Sequence, residues 1–264
     1  STARPVAPLR SQEVISTDVV DEQWLPRFLR PSTLGPQVDD PENTLIPSLR
    51  GESLYIDAEA VSPQVPLSFE RITTEEVGEI VHKAVVLLVE ADVSRTPLQS
   101  PVASQVIEIV DDLLEACRPR VGENEINGLR AFLCEWVLPA LGDSLLWGRI
   151  EDAVEIYTEE PLQALTRIHN VDIEIHGQAD LVLDMGDGTW YIEDIKTALT
   201  SPSAAHRRQS KLQVDAYAWV LEHQCGPDER VIPRVTTVGV CSEEYSVEWP
   251  IGAWRRQLTE SVSE

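Results

Sequence analysis

The first strong periodic pattern lies in residues 73–92, TTEEVGEIVHKAVVLLVEAD. Apolar residues recur there three and four positions apart, which predicts an amphipathic helix. Thr73, followed three residues later by Glu76, forms a capping box that predicts where the helix begins. The predicted apolar face consists of Val77, Ile80, Val81, Ala84, Val85 and Leu88.

Helical patterns continue beyond this segment, and strand patterns begin near residue 152. Further helices are predicted in 104–119 and 125–141. Strands are predicted in 153–159, 171–185 and 189–197, a helix in 207–224, and strands in 234–241 and 245–250. This order of elements predicts an α/β fold with a central mixed sheet flanked by helices.

Residues 1–66 are rich in proline and have little periodicity. They predict an extended N-terminal arm that wraps a core or links it to a preceding domain. A short strand is predicted within the arm, in residues 50–61. The remainder, 67–264, is predicted to form one domain. The chain starts with Ser1, and we expect it to be a fragment of a longer protein.

The composition is strongly acidic, with 45 Asp and Glu against 21 Lys and Arg and a formal net charge of -24. Taken alone, this charge disfavours nucleic acid as a partner, because phosphate binding requires positive charge. Acidic surfaces are also typical of proteins that stay soluble in strong salt, where self-repulsion is screened. We therefore expect a protein of a salt-loving cytoplasm, in which local charge rather than net charge identifies the ligand; an ordinary acidic protein is the alternative.

No apolar run reaches the roughly 18 residues of a membrane helix, and no secretory signal is recognisable. We therefore expect a cytoplasmic protein without a membrane partner. The four cysteines contain no CxxC motif and predict small buried side chains in a reducing compartment. Zinc or an iron–sulfur cluster is the alternative for them.

A Gly-Asp-Gly turn at 186–188 separates two strand-like runs and predicts a hairpin. If Met185 pairs with Thr189, Asp180 lies opposite Asp194, with an uncertainty of one residue. Directly opposed residues have Cβ atoms about 5 Å apart. Two carboxylates at that separation repel each other, and a divalent cation with oxygen ligands would relieve the repulsion.

Alternation along the second strand places Asp194 and Lys196 on one face, and Glu193 and Ile195 on the other. A carboxylate and an ammonium thus point into the same space as Asp180. A metal there could activate water while Lys196 orients that water or stabilises developing charge. A surface hairpin with a solvated ion pair is the alternative, and spacing alone does not decide between them.

Between Asp194 and Asp215 the chain has no acidic residue. Its cationic side chains there predict a local site for phosphate contacts, although a basic helix end is the alternative. These side chains are Lys196, His206, Arg207, Arg208 and Lys211. Gln213 and Tyr217 follow, four residues apart on one helix face, a spacing that by itself indicates packing.

The motif HGQADLVLDMGDGTWYIEDIKT, followed by QVDAY, closely resembles the RecB-type nuclease domain of the PD-(D/E)xK superfamily. The matching pairs are Gly177 with Asp180, Asp194 with Lys196, and Gln213 with Tyr217. The segment GEIVH resembles the Gly-x-x-x-His element of the family, and TEEPL, with Glu160, resembles the strand segment before its first Asp. The resemblance spans residues 75–225 and implies the restriction-endonuclease-like fold.

The resemblance implies a divalent-metal-dependent DNA nuclease, with single-stranded DNA as the expected substrate. The implied ligands of Mg²⁺ or Mn²⁺ are His82, Asp180, Asp194 and the carbonyl of Ile195. Lys196 would assist the nucleophile, and Gln213 and Tyr217 would position Lys196 or the DNA backbone. The implied phosphate contacts are Arg207, Arg208 and Lys211. Without the resemblance, His82 would be read as a core or surface histidine.

The resemblance also suggests a helicase partner, in cis or in trans, and a role in recombination or repair. The chain has no GxxxxGK[ST] phosphate loop and cannot itself be the motor. No iron–sulfur cluster is expected, since no cysteine precedes His82, and Cys225 and Cys241 lie apart. The alternatives are a catalytically inactive nuclease-fold module that binds DNA or regulates a helicase, and an unrelated acidic interaction protein.

Overall fold

The computed structural model describes residues 28–31, 72–91, 98, 103–168, 171–199 and 202–256. Their strands form one six-stranded sheet. The strands are β1 (Phe28–Leu29), β2 (Glu155–Ile168), β3 (Val171–Asp184), β4 (Thr189–Ala198), β5 (Arg230–Gly239) and β6 (Glu243–Ser246). The described α-helices are α1 (Thr74–Glu90), α2 (Ser104–Cys117), α3 (Glu123–Phe132), α4 (Leu138–Gly142), α5 (Leu145–Asp152) and α6 (Ala204–Gln224).

Helix α1 begins as its sequence predicts. The Thr73 side chain accepts a hydrogen bond from the Glu76 N–H, and Glu76 accepts one from the Thr73 N–H at 2.8 Å. The predicted apolar face is buried against the other helices and the sheet. The capping box and the periodicity therefore define the helix that carries His82.

Helices α3 and α4 form one continuous rod that contains a π-helical turn, Leu133–Val137. The turn comes just before Pro139, which lacks an N–H and would clash with the carbonyl four residues earlier in a regular helix. A wider turn relieves that clash, because its hydrogen bonds span five residues. The helix predicted in 125–141 therefore exists, with a local change of pitch.

The sheet is mixed. Its order is β1-β3-β4-β5-β6, with β2 also paired to β3. β3 and β4 form the predicted antiparallel hairpin, with Leu181 opposite Glu193 and Asp184 opposite Trp190. This is the register that the Gly-Asp-Gly turn predicted. β5 lies parallel to β4 after the crossover through α6, and β6 closes the edge antiparallel to β5.

Two apolar clusters lie on opposite faces of the sheet. Helices α1–α5 pack on one face, against side chains that include Leu181, Leu183 and Ile195. Helix α6 packs on the other face, against side chains that include Val182 and Ile192. The fold is therefore the predicted mixed sheet flanked by helices.

Several boundaries differ from the sequence predictions. β2 extends to Ile168, well past the predicted 153–159, and contains Pro161. Proline is tolerated there because β2 pairs with β3 alone within the described sheet, so its other edge needs no N–H donor. β5 begins before Pro233, whereas the prediction began after it. β6 starts at Glu243, two residues before the predicted start at residue 245.

Part of the predicted arm belongs to the sheet. Phe28 and Leu29 pair parallel to β3, opposite Glu174 and Ile175, and Leu29 is buried in the cluster under α6. A strand of two residues is too short to leave a periodic signal in the sequence. The rest of the arm, including the strand predicted in 50–61, lies outside the described residues.

The four cysteines are distributed over different parts of the fold. All four cysteines are free thiols; Cys117 belongs to the cluster under α1–α5, whereas Cys225 packs against the cluster under α6. Cys117 and Cys225 therefore lie on opposite faces of the sheet. Within the described part of the chain, no helix combines the length and apolarity that crossing a bilayer requires.

Asp215 in α6 anchors the segment that follows β6. Its fully buried carboxylate accepts hydrogen bonds from the Trp249 indole at 3.0 Å, the Gly252 N–H at 2.8 Å and the Trp254 N–H at 3.0 Å. Trp254 is itself fully buried, beside Trp219 of α6. Burial raises the pKa of Asp215 to about 6, although these three donors oppose the rise.

Replacing Asp215 should destabilise the fold. The Asp215→Ala variant leaves three donors without their acceptor, and buried unsatisfied donors cost about 1–3 kcal/mol each. We expect a total loss of about 2–4 kcal/mol, since some donors will reach water. Urea denaturation measures the loss. Glu222→Ala, at an exposed position of the same helix, is the control and should change stability by less than about 0.5 kcal/mol. Equal stability of the two variants would contradict the anchoring role.

Candidate active site at the fork of the central hairpin

β3 and β4 separate at the position where the acidic residues lie. The described ladder ends with Leu181 opposite Glu193. One residue further, Oδ2 of Asp180 accepts a hydrogen bond from the Ile195 N–H at 2.6 Å. The carboxylate thus occupies the place that a strand carbonyl would take in a continued ladder. We call this opening between the two strands the fork.

A backbone irregularity directs Asp180 into the fork. Ala179 packs with the cluster under α6, whereas Leu181 packs with the cluster under α1–α5. Residues two apart on a regular strand share a face, so the alternation inverts at Asp180. On β2, the pairing skips Glu159, the one non-glycine residue with positive φ (50°) in the described chain. Such a conformation costs about 1–2 kcal/mol, which the surrounding sheet must offset.

Glu160 follows this kink and pairs opposite Ala179 on β3. Burial raises the pKa of Glu160. It therefore lies next to the fork, as the TEEPL resemblance implies, and no contact to Asp180 or Asp194 is seen for its side chain among the described interactions.

Asp194 and Lys196 share the face predicted for them. Lys196 Nζ donates to Asp194 Oδ1 at 2.9 Å and to Gln213 Oε1 at 3.3 Å. Asp194 is almost fully buried, at 1% exposure. The ion pair is therefore not the solvated surface pair that was the alternative interpretation of this hairpin.

Helix α6 supports Lys196 through two side chains. Gln213 Nε2 donates to the Tyr217 hydroxyl at 3.2 Å, while its oxygen accepts from Lys196. The Tyr217 ring lies against Gly177 of β3, where an added Cβ would come within 2.3 Å of Tyr217 Cε1. Glycine is thus required at position 177, which explains the Gly-x-x-Asp spacing in steric terms.

The charges in the fork shift two pKa values in the same direction for different reasons. Burial, and then repulsion from Asp194, raise the pKa of Asp180 to about 6, against the opposing effects of His82, Lys196 and the Ile195 bond. Burial alone would lower the pKa of Lys196, but attraction to Asp194 and Asp180 outweighs burial and raises it. Lys196 is therefore an ammonium at neutral pH.

His82 reaches the fork from α1. Its Nδ1 lies 3.7 Å from Asp180 Oδ1, and α1 passes close to β4, with Thr197 Oγ1 in ordinary contact range of a Cβ added at Gly78. A Cβ at Gly78 would therefore make an ordinary contact with β4 and would not clash with it. The structure brings His82, Asp180, Asp194 and Ile195 into one neighbourhood.

Two buried atoms at the fork have no hydrogen-bond partner among the described residues: His82 Nε2 and Asp194 Oδ2. A nitrogen and a carboxylate oxygen in this state fit a divalent cation, which would also relieve the repulsion that raises the pKa of Asp180. Within the described chain, however, no three His, Cys, Asp or Glu side chains are grouped closely enough to form a complete metal cluster. The side chains present fit a metal, and the predicted ligand set is only partly assembled.

The predicted phosphate contacts lie along α6 and meet acidic residues. Arg207 pairs with Glu243 at 2.8 Å, and Lys211 pairs with Glu248 at 3.1 Å. Arg208 is exposed on the same helix. The cationic segment seen in the sequence is therefore partly neutralised by residues of β6 and the loop after it.

A sequence model of the PD-(D/E)XK nuclease superfamily matches residues 58–247. This span covers most of the chain and includes every residue of the fork. The chain belongs to the PD-(D/E)XK nuclease superfamily. Membership accounts for the order of the elements: a helix with His82, the hairpin with Asp180, Asp194 and Lys196, and a helix with Gln213.

Two solved structures resemble this superfamily member. One is the crystal structure of SSO0001, with 14% identity, a TM-score of 0.30, and coverage of 75% of this chain and 77% of the other. The second is a candidate exonuclease from Eubacterium rectale, with 8% identity, a TM-score of 0.42, and coverage of 96% and 83%. No curated protein matches the chain. Because both TM-scores are low, the family assignment depends on the sequence match and the site geometry.

Sequence reasoning missed a group of residues behind the fork. Arg149 of α5 donates to Glu193 at 2.7 Å and to Glu244 at 2.6 Å, and Glu193 is fully buried. Thr236 of β5 also donates to Glu193, at 3.3 Å. Burial raises the pKa of Glu193 to about 7, against the attraction of Arg149. Alternation indicated that Glu193 points away from Asp194, but nothing in the sequence identified its partner 44 residues earlier.

Gly177→Ala should destabilise this PD-(D/E)XK domain. The new methyl group would overlap the Tyr217 ring, so β3 and α6 must separate or the ring must move, at a cost of about 1–3 kcal/mol. Urea denaturation measures this cost. Gly148→Ala is the matched control, because nothing lies within 4 Å of a Cβ at this position in helix α5. It should be neutral or stabilising by up to about 1 kcal/mol. Equal behaviour of the two variants would exclude the steric requirement.

The stability of the metal-free protein should depend on the ionisation of Asp180. Its pKa is higher in the folded state than its ordinary 3.8, so folding favours the neutral acid. This contribution is present at low pH and is lost as the pH rises through about 6. Asp180→Asn cannot ionise, and its stability relative to the wild type should increase by about 2–3 kcal/mol between pH 4 and pH 7.

Denaturation in the presence of a chelator, repeated across that pH range, measures this difference. Asp172→Asn, at an exposed position near the other end of β3, is the control and should follow the wild-type profile above pH 5. A constant difference between wild type and Asp180→Asn would show that Asp180 titrates normally.

Proposed function

We propose that this chain is a divalent-metal-dependent deoxyribonuclease that hydrolyses phosphodiester bonds. The observation that carries the proposal is the fork, where Asp180 and Asp194 lie together with the ammonium of Lys196. Membership of the PD-(D/E)XK nuclease superfamily supports the reaction class. Two carboxylates can hold a divalent cation that activates water, and a neighbouring ammonium can stabilise negative charge on a phosphate.

His82, Asp180, Asp194 and the carbonyl of Ile195 would hold Mg²⁺ or Mn²⁺. A bound divalent cation supplies Lewis acidity at the phosphate and lowers the pKa of water. The two unpartnered atoms, Asp194 Oδ2 and His82 Nε2, support this ligand set. Oxygen ligands are preferred by both ions, and a histidine nitrogen is compatible with Mn²⁺.

Lys196 would act as a cation and hydrogen-bond donor. Its raised pKa keeps the side chain protonated at neutral pH, so it would stabilise negative charge on the reacting phosphate and orient the nucleophile. Gln213 holds the ammonium in place, and Tyr217 in turn holds Gln213. A rigid chain of three side chains thus fixes the position of one charge.

DNA would lie along α6, with phosphates contacting Arg207, Arg208 and Lys211. At two of these positions the phosphate must replace a carboxylate, because Arg207 pairs with Glu243 and Lys211 with Glu248. Strong salt weakens such partly exposed pairs as well as phosphate contacts. The net contribution of this helix to affinity is therefore smaller than its charge count indicates.

The cellular context belongs to the same proposal. The substrate is single-stranded DNA, delivered by a helicase domain in cis or in trans during recombination or repair in a salt-rich cytoplasm. The chain carries no iron–sulfur cluster in this proposal. The acidic composition supports the salt-rich setting, since exposed carboxylates tolerate strong screening.

The test incubates the full chain with end-labelled single-stranded DNA in high salt with Mn²⁺, with Mg²⁺ or with a chelator. We expect cleavage with metal and none with chelator. Asp194→Asn should abolish it, and Lys196→Ala should lower the rate about 100-fold or more, as loss of one preorganised donor does. Gel electrophoresis of the products measures the rate.

Matched controls separate the site from general charge effects. Asp172→Asn removes an exposed carboxylate of β3, and Lys83→Ala removes an exposed lysine next to His82. Both variants should retain wild-type cleavage. DNA binding without metal-dependent cleavage would overturn the enzyme and favour an inactive nuclease-fold module, whereas neither binding nor cleavage would exclude both.

A further inference from the structure

An ion-pair network lies on the face of β4 opposite the site. Arg149 of α5 bridges Glu193 of β4 and Glu244 of β6, and its guanidinium lies 5.0 Å from the centre of the Tyr191 ring. Thr236 supplies a second donor to Glu193. We call Arg149, Glu193, Thr236 and Glu244 the buttress. It connects one helix with three adjacent strands.

The buttress is buried more deeply than ordinary ion pairs. The side chains of Arg149 and Glu193 are 13% and 0% exposed. Pairs of this kind gain little net stability over apolar residues of similar volume, because desolvation offsets their attraction. Stability alone therefore does not explain why a buried pair stands here, and its location suggests a different role.

Glu193 is the residue at which β4 leaves β3. It forms the last pair of the ladder, with Leu181, and Asp194 is the next residue, on the opposite face. On the other side of the fork, Asp180 is tied to β4 only through the Ile195 N–H among the described hydrogen bonds. The ladder with β5 holds β4 along its length, and at Glu193 the strand is also held from behind by a helix outside the sheet.

We infer that Arg149 and Glu193 are positioning residues that set the opening of the fork and hence how Asp180 and Asp194 face a divalent cation. The inference rests on the proposed function for the identity of the bound ion. Arg149 can hold two carboxylates on two strands because its guanidinium has a planar fork of donors. Lysine lacks the two separate nitrogens, Nε and Nη2, with which Arg149 contacts Glu193 and Glu244.

An electrostatic explanation predicts a different result from positioning. Losing Arg149 alone removes a positive charge near the site, which would strengthen cation binding. At a pH above the pKa of Glu193, which is about 7, losing Arg149 and Glu193 together leaves the net charge unchanged, so electrostatics predicts little change. Positioning predicts weaker cation binding in both cases, because the contact that holds Glu193 from α5 is lost while the ladder with β5 remains. A charge-neutral double variant therefore distinguishes the two.

The experiment measures Mn²⁺ binding to the full chain by isothermal titration calorimetry, without DNA. We expect the double variant Arg149→Met/Glu193→Gln to raise the Kd for Mn²⁺ about 10- to 100-fold, the range for loss of groups that orient metal ligands. Arg149→Lys, which keeps the charge, should lie between wild type and the double variant. Circular dichroism establishes that each variant is folded at the temperature of titration.

The control removes another ion pair without touching β4. Arg130 and Asp111 form a two-bond pair between α3 and α2, at 2.5 and 2.9 Å. The charge-neutral variant Arg130→Met/Asp111→Asn should bind Mn²⁺ within about twofold of wild type, as expected for a distant independent site. A comparable loss of affinity in this control would overturn the positioning role, because it would show a general response to lost ion pairs.

If the double variant does not fold, nuclear magnetic resonance of the Arg149→Lys variant tests the inference instead. The Ile195 amide proton donates a short bond to Asp180 and should resonate downfield in wild type. We expect it to move upfield in Arg149→Lys, whose β4 sequence is unchanged. An unchanged Ile195 shift in that case, or an unchanged Mn²⁺ Kd in a folded double variant, would overturn the inference.

Failure of the proposed function would look different. Wild-type protein that binds no Mn²⁺, or binds it equally well after Asp194→Asn, would overturn both the metal site and the inference. If wild type binds Mn²⁺ through Asp194 and the folded double variant binds it equally well, the inference alone fails.

Discussion

Repulsion between Asp180 and Asp194 is the constraint on which the site depends. A continuous ladder would seat both carboxylates between two bonded strands, where like charges destabilise the sheet. The chain instead ends the β3–β4 ladder at Glu193 and lets Asp180 accept from the Ile195 N–H. Lys196 supplies part of the compensating charge within the protein itself.

The two faces of the sheet contribute different supports to this opening. On the α6 face, Gly177 admits the Tyr217 ring, and Tyr217 holds Gln213 against Lys196. On the opposite face, Arg149 holds Glu193, the residue at which the β3–β4 ladder ends. Conformational cost is concentrated at Glu159, whose positive φ accompanies the inverted alternation at Asp180. The candidate site residues thus lie at an irregular point surrounded by regular, well-packed elements.

The sequence predicted the features that depend on local patterns. The capping box located α1, the Gly-Asp-Gly turn set the register of the hairpin, and ordered motifs named the family. Features that depend on long-range contacts were not predictable. The pairing of Arg149 with Glu193 joins residues 44 apart, and the neutralisation of Arg207 by Glu243 depends on where β6 lies. The two-residue strand β1 has no period to detect, because alternation needs several residues.

Helix α6 links the candidate site to the far end of the described chain. Between Gln213 and Tyr217, which face the fork, stands Asp215, whose carboxylate is satisfied by Trp249, Gly252 and Trp254. The residues after β6 therefore complete the interior, although they lie beyond every recognisable motif. Truncating the chain just after β6, where the recognisable motifs end, would remove the three donors to the buried Asp215 carboxylate. Such a shortened protein would lose rigidity in the very helix that holds Lys196 in place.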